Sequence, residues 1–324
     1  MRAAYYEKNG PARDVLKVGE VETPRPGPGE VRVRLATSGV NPSDVKSRAG
    51  LTRKIAFSRV IPHSDGAGTI DQVGDGVPAA RVGERVWTWN AQWRRPFGTC
   101  AEYVVLPAAL AVPLPEHTDF PAAACLGIPA MTAYHAVAVA DAWAGSTLLI
   151  AGGAGAVGNY AIQFAKARGA VVITTVSSDA KAELALKAGA DHVINYRNEP
   201  VGERVMELTD HAGVDAVIEL DLASNAKLLP GVLRPRGLVV IYGTLPEAQI
   251  PAQWLLVSAI TLRFIFVYEL TPEERAAAVD TITRMLKEKR LLNPVALTLP
   301  LDQAVAAHEA VEQGKAIGNV VVQI

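Results

Sequence analysis

"AGGAGAVGNYAIQFAKARGA", residues 151–170, follows the apolar run "TLLI" at 147–150. Gly153, Gly155 and Gly158 take the spacing G-x-G-x-x-G and lead into a stretch where Ala161, Ile162, Phe164 and Ala165 share one helical face. A strand, then a turn with little side-chain bulk, then a helix is the arrangement that receives a dinucleotide pyrophosphate. The first glycine allows the tight turn, the second lets backbone N–H groups approach the phosphates, and the third packs helix on strand. The unpaired N–H groups at the helix start, around Ala156, Val157 and Gly158, and the positive end of its dipole favour an anion. The spacing alone is a weak signal with a ligand-free packing turn as its alternative, but the flanking strand and helix select the dinucleotide.

Proteins that bind NAD place an acid on the ribose 2′-hydroxyl about 20 residues further on. Here Ser177 in "TVSSDAK" occupies that slot. A carboxylate there repels a 2′-phosphate, whereas Ser177, Ser178 and Lys181 supply hydroxyl groups and a positive charge. NADP(H) is the expected cofactor. Asp179, near enough to serve an NAD ribose, and a Lys181 that is only a solvated helix residue make up the alternative.

Downstream, "AVVITTVSS" (170–178), "HVINY" (192–196), "DAVIEL" (215–220) and "GLVVIYG" (237–243) join "STLLIAGG" (146–153) as strand candidates. Their unalternating Val, Ile and Leu mark strands buried on both faces. Helical stretches between them, such as 161–167 and 180–187, make this a doubly wound α/β region. Before it, short strands are broken by Gly and Pro, and "EVRVRLATSGV" (30–40) alternates Val31, Val33 and Leu35 with Arg32 and Arg34. A barrel-like all-β domain is expected there. In the tail, Thr271, Pro272 and Glu274 form a capping-box start for one helix, and "GNVVVQI" closes the chain as a strand able to rejoin the first sheet.

The 324 residues suit two domains. With 32 basic and 33 acidic residues the formal net charge is -1, which gives no electrostatic case for nucleic acid or an anionic membrane. The first residues lack a signal-peptide pattern and no run of 18 apolar residues exists, so a cytoplasmic setting is expected. Cys100 and Cys125, in apolar surroundings, read as buried reduced thiols.

Five further blocks bear on family: "GVNPSDVKSRAG" (39–50), "PHSDGAGTIDQVGDGV" (62–77), "FGTCAEYVVLP" (97–107), "GIPAMTAYHA" (127–136) and "GGAGAVGNYAIQFAK" (152–166). Together they resemble the zeta-crystallin-like NADPH:quinone oxidoreductases of the medium-chain dehydrogenase/reductase superfamily, over nearly the full chain. The resemblance implies a GroES-like β-barrel catalytic domain (1–124 and 264–324), a Rossmann NADP(H)-binding domain (125–263), a cleft between them and a homodimer. It also implies that "TLRFIFVYEL" (261–270) supplies a sheet edge paired across the dimer.

Zinc-dependent members of the superfamily hold their metal with Cys, His and Cys. Here Asn41 and Ser64 stand in the first two slots, with His63 one place early, and Ile128 in the third, which Cys125 misses by three positions. No metal is expected. A quinone or α,β-unsaturated carbonyl is already electrophilic, so positioned NADPH and hydrogen-bond donors suffice for its reduction.

By the same resemblance, Asn41, Asp44 and Arg48 line the nicotinamide end of the cleft, Asn41 donating to the nicotinamide ribose or the substrate oxygen. Asp44 and Arg48 alternatively form a helical ion pair. Lys46 stands where bacterial relatives carry a tyrosine, and they carry another near Thr52; Lys46 is a candidate oxyanion donor or a surface lysine. Thr132, Tyr196, Gly243, Phe266, Val267 and Asn319 match positions near the cofactor. The expected activity is NADPH:quinone reduction, with 2-alkenal or enoyl reduction and a non-catalytic NADPH-binding role as alternatives.

Overall fold

A computed structural model describes residues 1–314 and 316–324. It divides into two compact units, Met1–Pro129 with Val279–Ile324, and Ala130–Ala278. The strands in chain order are β1 (Arg2–Tyr5), β2 (Lys17–Glu20), β3 (Glu30–Val40), β4 (Asp65–Val73), β5 (Arg85–Thr88), β6 (Tyr103–Pro107) and β7 (Ala111–Pro113). There follow β8 (Thr147–Ile150), β9 (Val171–Val176), β10 (His192–Asn195), β11 (Val214–Glu219), β12 (Leu233–Ile241), β13 (Thr261–Phe264), β14 (Val295–Pro300) and β15 (Asn319–Gln323).

The first unit is the barrel that the alternating pattern implies. Its central strand β3 pairs antiparallel with β4, β6 and β15. Val31, Val33 and Leu35 turn inward, while Arg32 on the opposite face forms an ion pair with Asp71 at 2.8 Å. The chain's last strand returns here as expected, Val320 facing Val40 and Val322 facing Ser38. Beneath it Ala304, Ala307, Val320 and Val322 pack with Val45, Val60 and Ile61 in one apolar core.

The second unit is a six-stranded sheet in the order β10-β9-β8-β11-β12-β13, every pair parallel. Leu148, Leu149 and Ile150 of β8 are buried, as the unbroken apolar run requires of a strand covered on both faces. The chain winds outward from β8 through β9 to β10, then returns to start again at β11. The order therefore reverses between β8 and β11, and a crevice opens at the carboxyl ends of strands at such a point. The residues after β8 are those of the glycine turn.

The helix Pro272–Lys287 begins as the sequence prescribes: Thr271 N–H donates to Glu274 Oε2 at 2.9 Å and Glu274 N–H to Thr271 Oγ1 at 3.2 Å. Cys100 and Cys125 are free and buried, and burial pushes both thiols well up from their ordinary range. No helix among the described residues is long and apolar enough to cross a membrane.

Candidate active site

The turn after β8 is tighter than the fingerprint alone conveys. Gly152, one residue ahead of it, takes the left-handed conformation at φ 70°, so the sharp reversal belongs to Gly152 and not to Gly153. Gly153 is required for space. A Cβ there would stand 2.2 Å from Thr174 Oγ1, whose hydroxyl donates to the Ile150 carbonyl at 2.6 Å. Gly158 performs its expected packing role, since a Cβ on it would fall 2.3 Å from the Gly152 carbonyl oxygen.

Gly155 differs from both. It is exposed, it is the N-cap of the helix Ala156–Ala167, and its Cβ would meet only the Gly152 oxygen, at 3.1 Å. No side chain caps this helix, and its first internal bond runs from Asn159 N–H to the Gly155 carbonyl. The N–H groups of Ala156, Val157 and Gly158 thus precede the ladder at the positive end of the dipole. An uncapped helix start behind a glycine with open space in front of it fits a pyrophosphate.

The residues that follow the adjacent strand gather the side chains the sequence pointed to as candidates for the 2′-phosphate. At the end of β9, Lys181 Nζ donates to Ser177 Oγ at 3.0 Å, and Ser178 caps the helix Asp179–Lys187 by accepting from Lys181 N–H at 3.4 Å. A hydroxyl and an ammonium side by side suit a phosphate monoester. Tyr196, half exposed after β10, anchors its N–H to the Val176 carbonyl at 3.1 Å, one residue from Ser177. Asp179 is exposed in the first turn of its helix.

Other residues of this unit are more dispersed. Thr132 is buried in the helix Met131–Val139. Gly243 has a packing reason for its identity: a Cβ there would stand 2.1 Å from the Leu220 carbonyl oxygen. Phe266 is exposed and Val267 buried, just beyond β13.

In the barrel unit, Asn41 is the N-cap of the helix Pro42–Ala49. Its N–H donates to Asp44 Oδ2 at 2.8 Å, and its side-chain Nδ2 donates to Asp65 Oδ2 at 2.7 Å. Asp65, fully buried, also accepts the Ile128 N–H at 2.8 Å, and it occupies the space left by Gly127, where a Cβ would lie 2.0 Å from Oδ1. Burial raises the Asp65 carboxyl well above its ordinary range, opposed by the Asn41 bond and reinforced by Asp44. Burial likewise lifts Asp44 to about 7, against the hydrogen bonds from Asn41 and Ser64 and the charge of Arg53.

The remaining barrel residues separate. Lys46 lies on the exposed side of its helix, away from the buried Asn41 and Asp44. The spacing of Asp44 and Arg48 suggests a helical ion pair, but the structure corrects this: Arg48 is buried and turns to Glu312 and the Gly10 carbonyl. Asn319 is buried, and both its N–H and Nδ2 donate to the Pro294 carbonyl, at 2.8 and 3.1 Å. Sequence reasoning missed Asp65 as the partner of Asn41. A buried acid in the quoted "PHSDGAG" block was its only trace, because the contact spans 24 residues.

Among the described residues no group of three or more His, Cys, Asp or Glu side chains gathers in a way that could hold a metal ion. His63 is taken up elsewhere, bonded to Ser38 and His308.

Comparison with known proteins places this geometry. The family model described as "Alcohol dehydrogenase GroES-like domain" matches residues 27–116, and the one described as "Zinc-binding dehydrogenase" matches residues 156–284. A 2-haloacrylate reductase of a Burkholderia species is 31% identical over 99% of this chain and 98% of its own. A quinone oxidoreductase of Pseudomonas aeruginosa is 31% identical over 95% of each chain. Among solved structures, a mycobacterial protein complexed with NADPH superposes with a TM-score of 0.90 at 29% identity, covering 100% of both chains. The glycine turn at the switch point of a parallel sheet, the GroES-like barrel and the full-length similarity agree: the chain belongs to the medium-chain dehydrogenase/reductase superfamily, in its quinone oxidoreductase branch.

Proposed function

We propose that this protein is a zinc-independent, NADPH-dependent reductase that delivers hydride to a quinone. The observation that carries the reading is the uncapped helix start behind Gly155, next to the strand that ends in the Ser177–Lys181 pair. The relatives named quinone oxidoreductase and the NADPH-complexed structural neighbour support it.

When bound, the nicotinamide supplies a hydride. The chain's own groups hold and orient. The N–H groups of Ala156, Val157 and Gly158 receive the pyrophosphate, with Gly153 and Gly155 leaving room. Ser177, Ser178 and Lys181 take the 2′-phosphate, with Tyr196 beside the adenine ribose. Thr132, Gly243, Phe266, Val267 and Asn319 are assigned to the rest of the cofactor's length. Asn41 is the donor toward the nicotinamide ribose or the acceptor oxygen, and Asp44 and Asp65 position it. Lys46, exposed on the same helix, is the candidate donor to the developing oxyanion.

Independence from zinc rests on the residues present, since Asn41, Ser64 and Ile128 fill the slots of the three ligands. An alcohol needs Lewis acidity to lose its proton before hydride departs, whereas a quinone needs only donors for the developing oxyanion. The similarity to a 2-haloacrylate reductase favours a second reading, reduction of an α,β-unsaturated acceptor with the same groups in the same roles.

A homodimer is proposed on the edge strand β13, which among the described residues pairs only with β12 and is followed by the exposed Phe266. Light scattering at micromolar concentration is expected to give twice the chain mass; the monomer mass would refute it. A cytoplasmic setting fits the two free thiols. The activity is tested by following loss of NADPH, and separately NADH, with 1,2-naphthoquinone, trans-2-hexenal and crotonyl thioesters. Fastest turnover of the quinone with NADPH supports the primary reading. Preference for the enal or thioester supports the second, and no turnover of any contradicts both.

A further inference from the structure

The turn that is to receive the pyrophosphate is loose by composition. Gly152, Gly153, Gly155 and Gly158 all fall within residues 152–158, and glycine has the widest backbone freedom of any residue. Bare main chain gives a phosphate its close approach, but a loop that is disordered before the ligand arrives loses affinity to its own ordering. The question is what holds this turn in shape.

Strands β8 and β9 run in parallel register as far as Ile150 and Thr174, their last pair. Beyond that pair the chain divides its contacts. Ala151 N–H donates to the Ile218 carbonyl of β11 at 3.0 Å, whereas Gly152 N–H turns to β9 and donates to Thr175 Oγ1 at 3.2 Å. The next amide, Gly153 N–H, donates to the Thr175 carbonyl at 3.1 Å. Thr175, itself buried, therefore holds two consecutive amides of the turn, one through its side chain and one through its main chain. Gly152 passes the constraint on: its carbonyl accepts the Gly155 N–H at 2.8 Å, and Gly155 is the N-cap of the helix Ala156–Ala167. The neighbouring Thr174 spends its hydroxyl on the Ile150 carbonyl at 2.6 Å, at the end of β8 and outside the turn.

We propose that Thr175 is a positioning residue for the dinucleotide pyrophosphate, its hydroxyl fixing Gly152 in the left-handed conformation from which the turn reaches the helix start. Gly152 takes φ 70°, so the amide that Thr175 holds belongs to the residue that reverses the chain. Valine has nearly the shape of threonine but offers that amide no acceptor, which leaves the glycines free to wander before the cofactor binds. The inference rests on the NADPH reading above. Since NADPH and NADH share the pyrophosphate, the effect of Thr175 is the same for both, unlike that of Lys181.

The test is calorimetric titration of NADPH and NADH into the wild type, Thr175→Val, Thr175→Ser and Thr174→Val, with steady-state kinetics and urea unfolding of each. Thr175→Val should raise the Kd of both nucleotides by a common factor of about fivefold or more, with KM following and kcat nearly unchanged. Thr175→Ser keeps the hydroxyl and should restore affinity. Thr174→Val should lower resistance to urea and leave nucleotide affinity close to that of the wild type. Where Thr175→Val folds too poorly to titrate, Thr175→Ala set against Thr175→Ser makes the same comparison. Unchanged affinity in Thr175→Val, a loss confined to NADPH, no rescue by serine, or an equal loss in Thr174→Val overturns the role of Thr175 while the NADPH reading stands. A wild type that takes up neither nucleotide overturns that reading and this inference with it.

Discussion

His63 Nε2 stands 2.9 Å from His308 Nε2 in the core of the barrel unit, and a line of hydroxyls fixes which of the two carries the proton. Thr99 Oγ1 donates to the Asp65 carbonyl, so it accepts from Ser38 at 2.7 Å. Ser38 then accepts from His63 Nδ1 at 2.8 Å, leaving His63 Nε2 bare to accept from His308. Both imidazoles are neutral in this arrangement. Burial lowers His63 to about 3 and depresses His308 well below the usual imidazole range, the latter helped by His63 and Arg48.

These shifts give an acid-sensitive contribution to stability. Each imidazole stays neutral in the folded state while its unfolded counterpart takes up a proton below about 6.5, so the stabilisation is complete above that pH and falls as pH drops toward the folded value. The slope is about 1 kcal/mol per histidine per pH unit. Asp44, raised to about 7, has the opposite slope in part of the same window, as does Asp65. The histidine contribution is therefore read as a difference. His308→Gln should lower stability at pH 7.5 and lose less than the wild type on going to pH 5, measured by denaturant unfolding at each pH. Equal losses in the two proteins would contradict the assignment of neutral imidazoles.

Lys181→Ala removes the ammonium that sits 3.0 Å from Ser177 Oγ. The KM for NADPH should rise about tenfold or more while that for NADH changes little, because only NADPH presents a charged group there. Steady-state titration of both nucleotides checks this. Equal small effects on both would take Lys181 out of the site.

The glycine turn predicts a separation of stability from binding. Gly158→Ala forces a Cβ to 2.3 Å from the Gly152 carbonyl oxygen and should cost about 1–3 kcal/mol or more in denaturant unfolding. Gly155→Ala meets that oxygen only at 3.1 Å, so its folding should change by less, yet NADPH affinity should fall because the new methyl faces the phosphate approach. Loss of stability in Gly155→Ala equal to that in Gly158→Ala would refute the distinction.

Asn41→Asp sets a second carboxylate where an amide donates to the buried Asp65 at 2.7 Å. The variant should be destabilised by about 2 kcal/mol or more near neutral pH and recover part of this on acidification, when one of the paired carboxyls holds a proton. A melting temperature that matches the wild type at pH 7.5 would show that the Asn41–Asp65 bond is not maintained.

Much of this was legible in the sequence where the signal is local. The apolar runs became β8 to β12, the Thr271–Glu274 box caps its helix, and Ser177 meets Lys181, four residues away. Features set by tertiary approach were not. Gly152 carries the left-handed turn because of how the chain must leave β8, which the glycine spacing does not record. Asp65 meets Asn41 across 24 residues, and His63 meets His308 across 245, so no periodicity announces either contact. Arg48 shows the reverse failure: a spacing typical of a helical ion pair with Asp44 is overridden by Glu312 on a distant helix.

The most direct test of the central claim is isothermal calorimetry of the protein with NADPH and with NADH, in parallel with Gly155→Ala. Saturable binding of one NADPH per chain, tighter than that of NADH and weakened by the substitution, is the expected result. Absence of heat with either nucleotide, or NADPH affinity untouched by a methyl group at position 155, would contradict the account at its base.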